Sequence, residues 1–112
     1  MLLQCKSANG TVKTMRLKEM TSAPPITIGR GNEATICLDD NRCSRLHCAI
    51  RYWDDIFVIR DYHSSNGTLV NGQKIEVSKL SPGDIVKIGD TEIKCSSEGT
   101  KGEATMIPSA AT

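Results

Sequence analysis

The sequence is poor in aromatic side chains and nearly balanced in charge. Aromatic residues make up 4% of its 112 residues, too few for the stacking platform that single-stranded nucleic acid requires. Fourteen Lys and Arg residues stand against thirteen Asp and Glu residues, so the formal net charge is only +1. A charge this small creates no strong field toward nucleic acid or an anionic membrane. We therefore expect neither as a partner, and any anion that binds must be held locally.

Long apolar runs and paired cysteines are also missing. The longest apolar run is Ile56 to Ile59, whereas a membrane-spanning helix needs about 20 such residues. The five cysteines are odd in number and form no C-x-x-C pair, which argues against a disulfide framework and a zinc ribbon. We predict reduced, mostly buried thiols, no metal and no cofactor. Met1 to Cys5 lacks the basic and apolar regions of a secretion signal, so it is expected to be the first strand of a cytoplasmic domain.

Turn-forming residues, in contrast, are frequent and lie between short strand-like segments. Asn9-Gly10 and Asn71-Gly72 are the strongest signals, because a type I′ hairpin turn needs positive φ at both positions. The clearest predicted strands are Pro25 to Ile28, Leu46 to Trp53, Ile56 to Arg60 and Ile85 to Ile88, with a turn at Asp54-Asp55 and another at Ser81 to Asp84. Val12 to Met20 also suits a short helix, and only the preceding turn favours a strand. Many short strands at this spacing predict an all-β sandwich.

The composition changes near the end of the chain. From Ser96 onward Ser, Thr, Gly, Glu and Ala dominate, and Met106 and Ile107 are the only sizeable apolar side chains. Such a segment cannot bury enough apolar surface to order itself. We predict one domain over residues 1–95 and a flexible tail or linker over residues 96–112.

Three polar loop clusters offer phosphate-binding chemistry that needs no metal. They are Gly29-Arg30, Ser44-Arg45-Leu46-His47 and Ser64-Ser65-Asn66-Gly67-Thr68. Arg30 supplies a planar donor fork that is always charged, Ser44 supplies a hydroxyl, and N–H groups beside glycine can approach an anion closely. From Ser44 the chain runs out along one strand and back along the next, so Ser64 to Asn66 should return to the same end. Sequence spacing alone does not decide which end of the predicted sandwich holds Arg30.

Taken in order, these clusters resemble the forkhead-associated (FHA) domain, a phosphothreonine-binding β-sandwich. The pattern is G-R, a short strand, S-R-x-H, a hairpin, S-x-N-G-T, then N-G at Asn71-Gly72 and G-D at Gly83-Asp84, and it covers roughly Leu3 to Cys95. The resemblance implies two mainly antiparallel twisted sheets with binding loops at one end. It also implies a non-catalytic module that recruits a phosphothreonine-containing partner downstream of a Ser/Thr kinase.

The resemblance further implies roles for single residues. Arg30 and Ser44 would bind the phosphate with support from Arg45. The residues expected to hold the main chain of the ligand are Ser65, Asn66 and Asn71, and those expected to read the positions beyond the phosphothreonine are Asn41, Arg42, Tyr62 and His63. The residues expected to set the shape of the loops are Gly29, His47, Gly67 and Thr68, with the His47 ring bracing the loops.

The chain departs from the family pattern at three points. Cys43 stands before S-R, where the family commonly has a small apolar residue, and Cys48 follows the histidine. Both side chains are small and tolerate burial, so the core is not in doubt. Tyr62-His63 stands where a Leu-Gly pair is frequent, which leaves the sequence preference of the ligand open.

Other interpretations of the same residues stay open. Arg45 suits a surface charge as well as binding, and Ser65 and Asn66 also suit plain turn residues. His47 and Cys48 resemble metal ligands, but as neighbours in a strand they would point to opposite faces.

A catalytic triad of Ser44, His47 and Asp61 is disfavoured because no nucleophile elbow or oxyanion motif accompanies it. Trp53 and Phe57 are expected to pack in the core or along a strand.

Two further hypotheses concern function. The same fold would also serve as a phosphate-independent scaffold for protein association or oligomerisation. In the tail, a phosphorylated Thr105 would be able to occupy the site of its own domain or of a neighbour, although an inert linker is the simpler interpretation.

Overall fold

Short strands alternate with tight turns through residues 1–7 and 10–97, the part of the chain that the computed structural model describes. Eleven strands are present there. They are β1 (Leu2–Lys6), β2 (Val12–Arg16), β3 (Ile26–Gly29), β4 (Ile36–Cys37), β5 (Cys48–Trp53), β6 (Ile56–Asp61), β7 (Thr68–Val70), β8 (Gln73–Ile75), β9 (Val77–Leu80), β10 (Ile85–Ile88) and β11 (Thr91–Ser96). The all-β prediction is confirmed.

The strands form two sheets. One has six strands in the order β2-β1-β11-β10-β7-β8, and the other has five in the order β4-β3-β5-β6-β9. The pairing is antiparallel except between β3 and β4, where Ile28 lies opposite Ile36 in a parallel register. This confirms the prediction of two mainly antiparallel sheets.

The core lies between the two sheets because the strands alternate apolar and polar side chains. In β11 every second residue is buried, starting from Thr91, and its neighbour β10 buries Val86 and Ile88. The largest fully buried apolar side chains are Leu3, Ile28, Ile50, Ile59, Leu80, Ile88, Ile93 and Val86. Burial of each Leu or Ile side chain contributes about 1.5–3 kcal/mol, so this interior dominates the stability of the fold.

Four of the five thiols belong to this interior, as predicted. Cys5, Cys43, Cys48 and Cys95 are free and buried, whereas Cys37 is half-buried. Burial raises the pKa of Cys5 to about 11 and those of Cys43 and Cys95 to about 12. These thiols therefore stay protonated at neutral pH and pack as small apolar groups.

The turns explain why neighbouring strands pair as they do. Asn71 and Gly72 have φ of 51° and 85°, which confirms the predicted type I′ turn between β7 and β8. Asp54 and Asp55 also have positive φ, 53° and 66°, in the hairpin between β5 and β6. Of the other predicted turn, Gly10 has φ of 89°, while Asn9 lies outside the described residues.

The segment Val12 to Met20, whose sequence suited either a helix or a strand, begins as strand β2. Val12 to Arg16 pair with β1 along its whole length, with Val12 opposite Lys6. The tail was predicted to begin at residue 96, but Ser96 is the last residue of β11, opposite Leu2. Residues 98–112, including Thr105, lie outside the described residues. No helix within the described ranges is long and apolar enough to cross a membrane.

Candidate functional site

Backbone hydrogen bonds bring the loop after β3 against the loop before β5. The Arg30 N–H donates to the Ser44 carbonyl at 2.9 Å, and the Gly31 N–H donates to the Arg45 carbonyl at 2.9 Å. Both bonds lie just past the last β3–β5 pair, Ile28 opposite Cys48. The end of the sandwich that holds Arg30, which spacing left open, is therefore the end that holds Ser44.

Gly29 allows this close approach. A Cβ atom at this position would lie 2.1 Å from the carbonyl oxygen of Arg45, far inside van der Waals contact. Any other residue would push the two loops apart. The structural role expected of Gly29 thus has a direct steric cause.

The imidazole of His47 joins two of the loops from inside. The side chain is fully buried, immediately before β5 rather than within it. Its Nδ1 accepts a hydrogen bond from the Ser44 N–H at 3.1 Å, so Nε2 carries the proton and donates to the Gly67 carbonyl at 2.8 Å. The ring therefore holds the Ser44 loop and the Gly67 loop at a fixed separation.

Polar side chains near the surface connect the same loops. The Ser65 N–H donates to Ser44 Oγ at 3.0 Å, and Asn66 Nδ2 donates to the Arg42 carbonyl at 2.7 Å. Arg30 Nε donates to the Cys43 carbonyl at 3.1 Å. Arg30, Ser44, Ser65 and Asn66 thus lie together, and we call these four residues the loop site.

Asp61, at the end of β6, holds the loop between β6 and β7. Its carboxylate accepts hydrogen bonds from the Ser64 N–H, the Ser64 hydroxyl and the Thr68 hydroxyl, the last at 2.7 Å. Burial alone would raise the pKa of Asp61, but these hydrogen bonds lower it below its usual value. Ser64 Oγ in turn accepts from the Gly67 N–H at 3.0 Å. The sequence pattern indicated Thr68 as structural but did not indicate this role for Asp61.

Asp40 holds the loop before β5 by accepting hydrogen bonds, as Asp61 holds the loop after β6. The sequence did not predict this role. The residue is 7% exposed and accepts from the Arg42 N–H, the Asp90 N–H and the Thr91 hydroxyl at 2.7–2.9 Å. Burial would raise its pKa, but these three bonds and the charge of Arg42 lower it. Only the bond to Arg42, two residues away, has a local signal, that of an Asp in a turn.

The residues expected to read the flanking positions are all exposed around the loop site. Asn41 and Arg42 are the central residues of a turn closed by a bond from the Cys43 N–H to the Asp40 carbonyl. Arg42 Nε lies 3.5 Å from an Asp90 carboxylate oxygen.

On the other side of the site lies the loop after β6. Tyr62 and His63 line a cleft of about 840 Å³, next to Ser64 and Lys74. His63 has φ of 52°, a left-handed conformation that turns the chain sharply after Tyr62.

Arg45, which was expected to support the phosphate, lies at the edge of the loop site. Arg45 is exposed, and its Nε lies 3.7 Å from Glu33 Oε1, in an ion pair at the edge of the loop site.

Asn71 is not brought to the loop site. It follows β7 at the opposite end of the sandwich, four residues or about 13 Å along the strand from Gly67. Its side-chain amide donates to Asp84 at 3.0 Å, and its oxygen accepts from the Ile85 N–H at 2.9 Å. Asn71 therefore fixes the turn before β10, and the expectation that it touches the ligand is corrected.

The two large aromatic residues of the hairpin lie on different sides of the sheet: Phe57 packs in the core and Trp53 packs along β5 against Arg51. Phe57 is buried and meets Tyr52 edge-on, with ring centroids 4.9 Å apart. Trp53 is 56% exposed on the outer side of β5, so it does not belong to the core.

The fold and the loops together define a binding domain of the β-sandwich class, with its site at one end of two sheets. The family model for the FHA domain matches residues 26–89. The chain is 34% identical over 85 residues to the FHA domain-containing protein FhaA of Mycobacterium tuberculosis, an alignment that covers 76% of this chain and 15% of FhaA. The chain belongs to the FHA domain family.

Solved structures agree with this assignment. The FhaA FHA domain, solved in complex with the intracellular domain of Rv3910, is 32% identical, with a TM-score of 0.72 over 83% of this chain and 96% of that one. A structure from a study of phosphothreonine-dependent FHA domain interactions is 29% identical, with a TM-score of 0.72 over 88% of this chain and 97% of that one. The family to which this chain belongs is thus one of phosphothreonine-dependent interaction modules.

Proposed function

We propose that the loop site binds the phosphothreonine of a partner protein. The observation that carries the proposal is the convergence of a guanidinium, a hydroxyl and a side-chain amide from three loops around Ser44. A phosphothreonine brings about −1.5 to −2 charge and three strong acceptor oxygens at neutral pH. These oxygens match the fixed donors that the loops present.

Arg30 and Ser44 are the proposed phosphate ligands. The bond from Arg30 Nε to the Cys43 carbonyl orients the guanidinium and leaves its two terminal amino groups for a bidentate contact. Ser44 Oγ accepts from the Ser65 N–H, so its own proton is directed away from that bond and toward an anion. Arg45, whose Nε pairs with Glu33, supports the phosphate from the edge of the site through its terminal amino groups.

Asn66 and Ser65 are the proposed contacts to the main chain of the ligand. Asn66 is anchored through Nδ2 to the Arg42 carbonyl, which fixes the amide plane and leaves Oδ1 free to accept a ligand N–H. Asn41, Arg42, Tyr62 and His63 border this position from the turn before Cys43 and from the cleft after β6, and they would contact the flanking residues.

The proposed activity is binding without catalysis. The His47 ring is bonded to the Ser44 backbone N–H and not to the Ser44 hydroxyl, so it does not activate a nucleophile. Both ring nitrogens are engaged, which also removes the imidazole as a metal ligand. Because phosphothreonine is a kinase product, the domain would act downstream of a Ser/Thr kinase, in the cytoplasm.

The test is selection from a randomised phosphothreonine peptide library, with matched phosphoserine and unmodified libraries. We expect phosphothreonine peptides to be retained and phosphoserine peptides to bind about fourfold more weakly or worse, since one buried methyl group is worth about 0.8 kcal/mol. Arg30→Ala should weaken binding about 10- to 100-fold, because a hydrogen bond to a charged group is worth about 1.5–3 kcal/mol. Lys87→Ala, which removes an exposed charge from β10, is the matched control and should bind normally. Equal retention of unmodified peptides would instead establish the phosphate-independent scaffold.

A further inference from the structure

The outer side of the five-stranded sheet carries a groove that the loop site does not use. The residues that line this groove come from β5, β6 and β9 and from the position after β6. We call six of them the outer groove: Arg51, Trp53, Val58, Arg60, Tyr62 and Val77. Its volume is about 460 Å³. Trp53 is 56% exposed, Val77 53% and Tyr62 38%. Exposed apolar side chains of this size along one groove of a sheet are typical of an interaction surface.

The chemistry of the outer groove selects one kind of occupant. Arg51 lies 5.4 Å above the centre of the Trp53 ring, a cation–π contact that orders both side chains. Arg60 supplies a second positive charge, and no carboxylate is among the residues that line the groove. Trp, Tyr and Arg are the side chains that most often dominate binding energy at protein interfaces. A segment that alternates acidic and apolar side chains complements this surface.

The outer groove is continuous with the surroundings of the loop site. Arg60, Tyr62 and Val77 line both the groove and the cleft of about 840 Å³ that reaches Ser64. Tyr62 also pairs with His47, because its N–H donates to the His47 carbonyl at 2.9 Å. From His47 to Trp53 the chain advances six residues, or about 20 Å. An extended ligand would need about six to eight residues to cover this path.

We propose that the outer groove is a second contact surface for the phosphorylated partner, which takes acidic and apolar side chains about six to eight residues from its phosphothreonine. The inference rests on the proposed function of the loop site. A peptide with only a few residues around the phosphothreonine ends before Trp53 and misses this surface. The partner would thus be recognised by a long segment, with the phosphate at one end of the contact and Trp53 at the other.

Two peptide libraries test this proposal. The short library has about four randomised residues on each side of a fixed phosphothreonine, and the long library has about twelve. The wild-type domain should enrich Asp, Glu and apolar residues at the distant positions of the long library. Since Trp53 is the only tryptophan of the chain, its emission should shift to the blue with a selected long peptide and not with the truncated version.

Variants separate the two surfaces. Trp53→Ala and Arg51→Glu should each weaken selected long peptides about tenfold and leave short phosphothreonine peptides unchanged. Lys87→Glu, on the outer side of the other sheet, is the control and should change neither. If the long library shows no selection beyond the short one, the outer groove is not part of the contact and the loop site stands alone. If neither library binds, the proposed function itself fails.

Two further results would overturn the proposal by identifying another occupant. Self-association of the free domain in sedimentation analysis, abolished by Trp53→Ala, would assign the groove to a second copy of the chain. Co-sedimentation with vesicles of phosphatidylcholine and phosphatidylserine, abolished by the same variant, would assign it to an anionic membrane. We expect the domain to be monomeric, not to bind these vesicles, and to show the blue shift of Trp53 emission with long phosphopeptides.

Discussion

At the scale of single residues, the geometry of the loop site depends on buried side chains behind it. His47 bonds to the Ser44 N–H and the Gly67 carbonyl, and Asp61 accepts from Ser64 and Thr68. None of these contacts needs a ligand, so the loops are already ordered when a ligand arrives. Pre-ordering of this kind lowers the entropy cost of binding.

Replacement of His47 tests this support. In His47→Ala the Ser44 N–H and the Gly67 carbonyl lose their partner and a cavity forms in place of the ring, so the free energy of unfolding should fall by about 2–5 kcal/mol. Urea denaturation measures the change. His63, the only other histidine, is exposed. His63→Ala should therefore change the free energy of unfolding by less than about 0.5 kcal/mol. Equal effects of the two substitutions would contradict the assigned role of His47.

Sequence reasoning identified the exposed members of the site better than their buried supports. Arg30, Ser44 and Asn66 lie in short local patterns, which made them visible. Asp40 bonds to Thr91, 51 positions away, and no local pattern encodes such a partner. The family resemblance implies a ligand contact for Asn71, whereas the Asn-Gly pair predicts a turn, and the structure shows that Asn71 serves the turn.

At the scale of elements, two hairpin turns of the same shape carry very different residues. Asn71-Gly72 and Asp54-Asp55 both have positive φ at both positions. Glycine adopts this conformation without steric cost, whereas a residue with Cβ at positive φ loses free energy. At the second turn position, the β5–β6 hairpin therefore holds strain that the β7–β8 hairpin avoids by using glycine.

Exchange of the second turn residue between the hairpins measures that strain. Asp55→Gly should stabilise the domain by about 0.5 kcal/mol, the difference between relief at positive φ and the greater freedom of glycine when unfolded. Gly72→Asp should destabilise it by a similar or larger amount. Thermal unfolding of the two variants provides the comparison. Asp55→Gly also removes the side-chain hydrogen bond between Asp55 and Tyr52, so a net loss of stability would show that relief of the turn is smaller than the contribution of that bond.

Strands with strong local patterns were predicted close to their observed bounds, whereas the shortest ones were indicated only through the family pattern, as for β4, or not at all, as for β8. The predicted strands Ile56 to Arg60 and Ile85 to Ile88 correspond to β6 and β10. Strand β4 has two residues and β8 has three, too few for alternation of apolar and polar residues to show. Their existence depends on neighbours in the sheet, which a local pattern does not specify.

At the scale of the whole molecule, two carboxylates make stability depend on pH. The pKa values of Asp40 and Asp61 are lowered in the folded state, so both contribute stability that is present above their unfolded pKa of 3.8. That stability is lost as the pH falls through the lower, folded values. Each carboxylate holds a loop at the site end, so acid should loosen the site as well as the fold.

The double variant Asp40→Asn/Asp61→Asn tests this dependence. In wild type the free energy of unfolding should fall steeply between about pH 5 and pH 2, because protonation breaks the bonds to both carboxylates. The double variant should be less stable at neutral pH and should lose less stability over that interval. Urea denaturation across the series gives the two slopes. Identical slopes would mean that other groups carry the acid sensitivity.

The arrangement of the sheets was reached through the family resemblance and not from spacing. Turn signals indicated many short strands, but they do not specify that β11 lies between β1 and β10 or that β3 pairs with β4 in parallel. Those contacts join distant parts of the chain, and the placement of Arg30 beside Ser44 depends on another of this kind, the pairing of β3 with β5. The shared site was therefore certain only once the sheets were known.

Phosphothreonine binding at the loop site is tested most directly by NMR, by following the chemical shifts of the backbone amides of the ¹⁵N-labelled domain during titration with a phosphothreonine peptide. We predict large shifts at Arg30, Ser44, Ser65 and Asn66, and no change at Asn71 or Asp84 at the opposite end. The unmodified peptide should leave the spectrum unchanged at the same concentrations. Shifts that do not depend on the phosphate, or that fall away from these four residues, would contradict the claim that the loop site binds phosphothreonine.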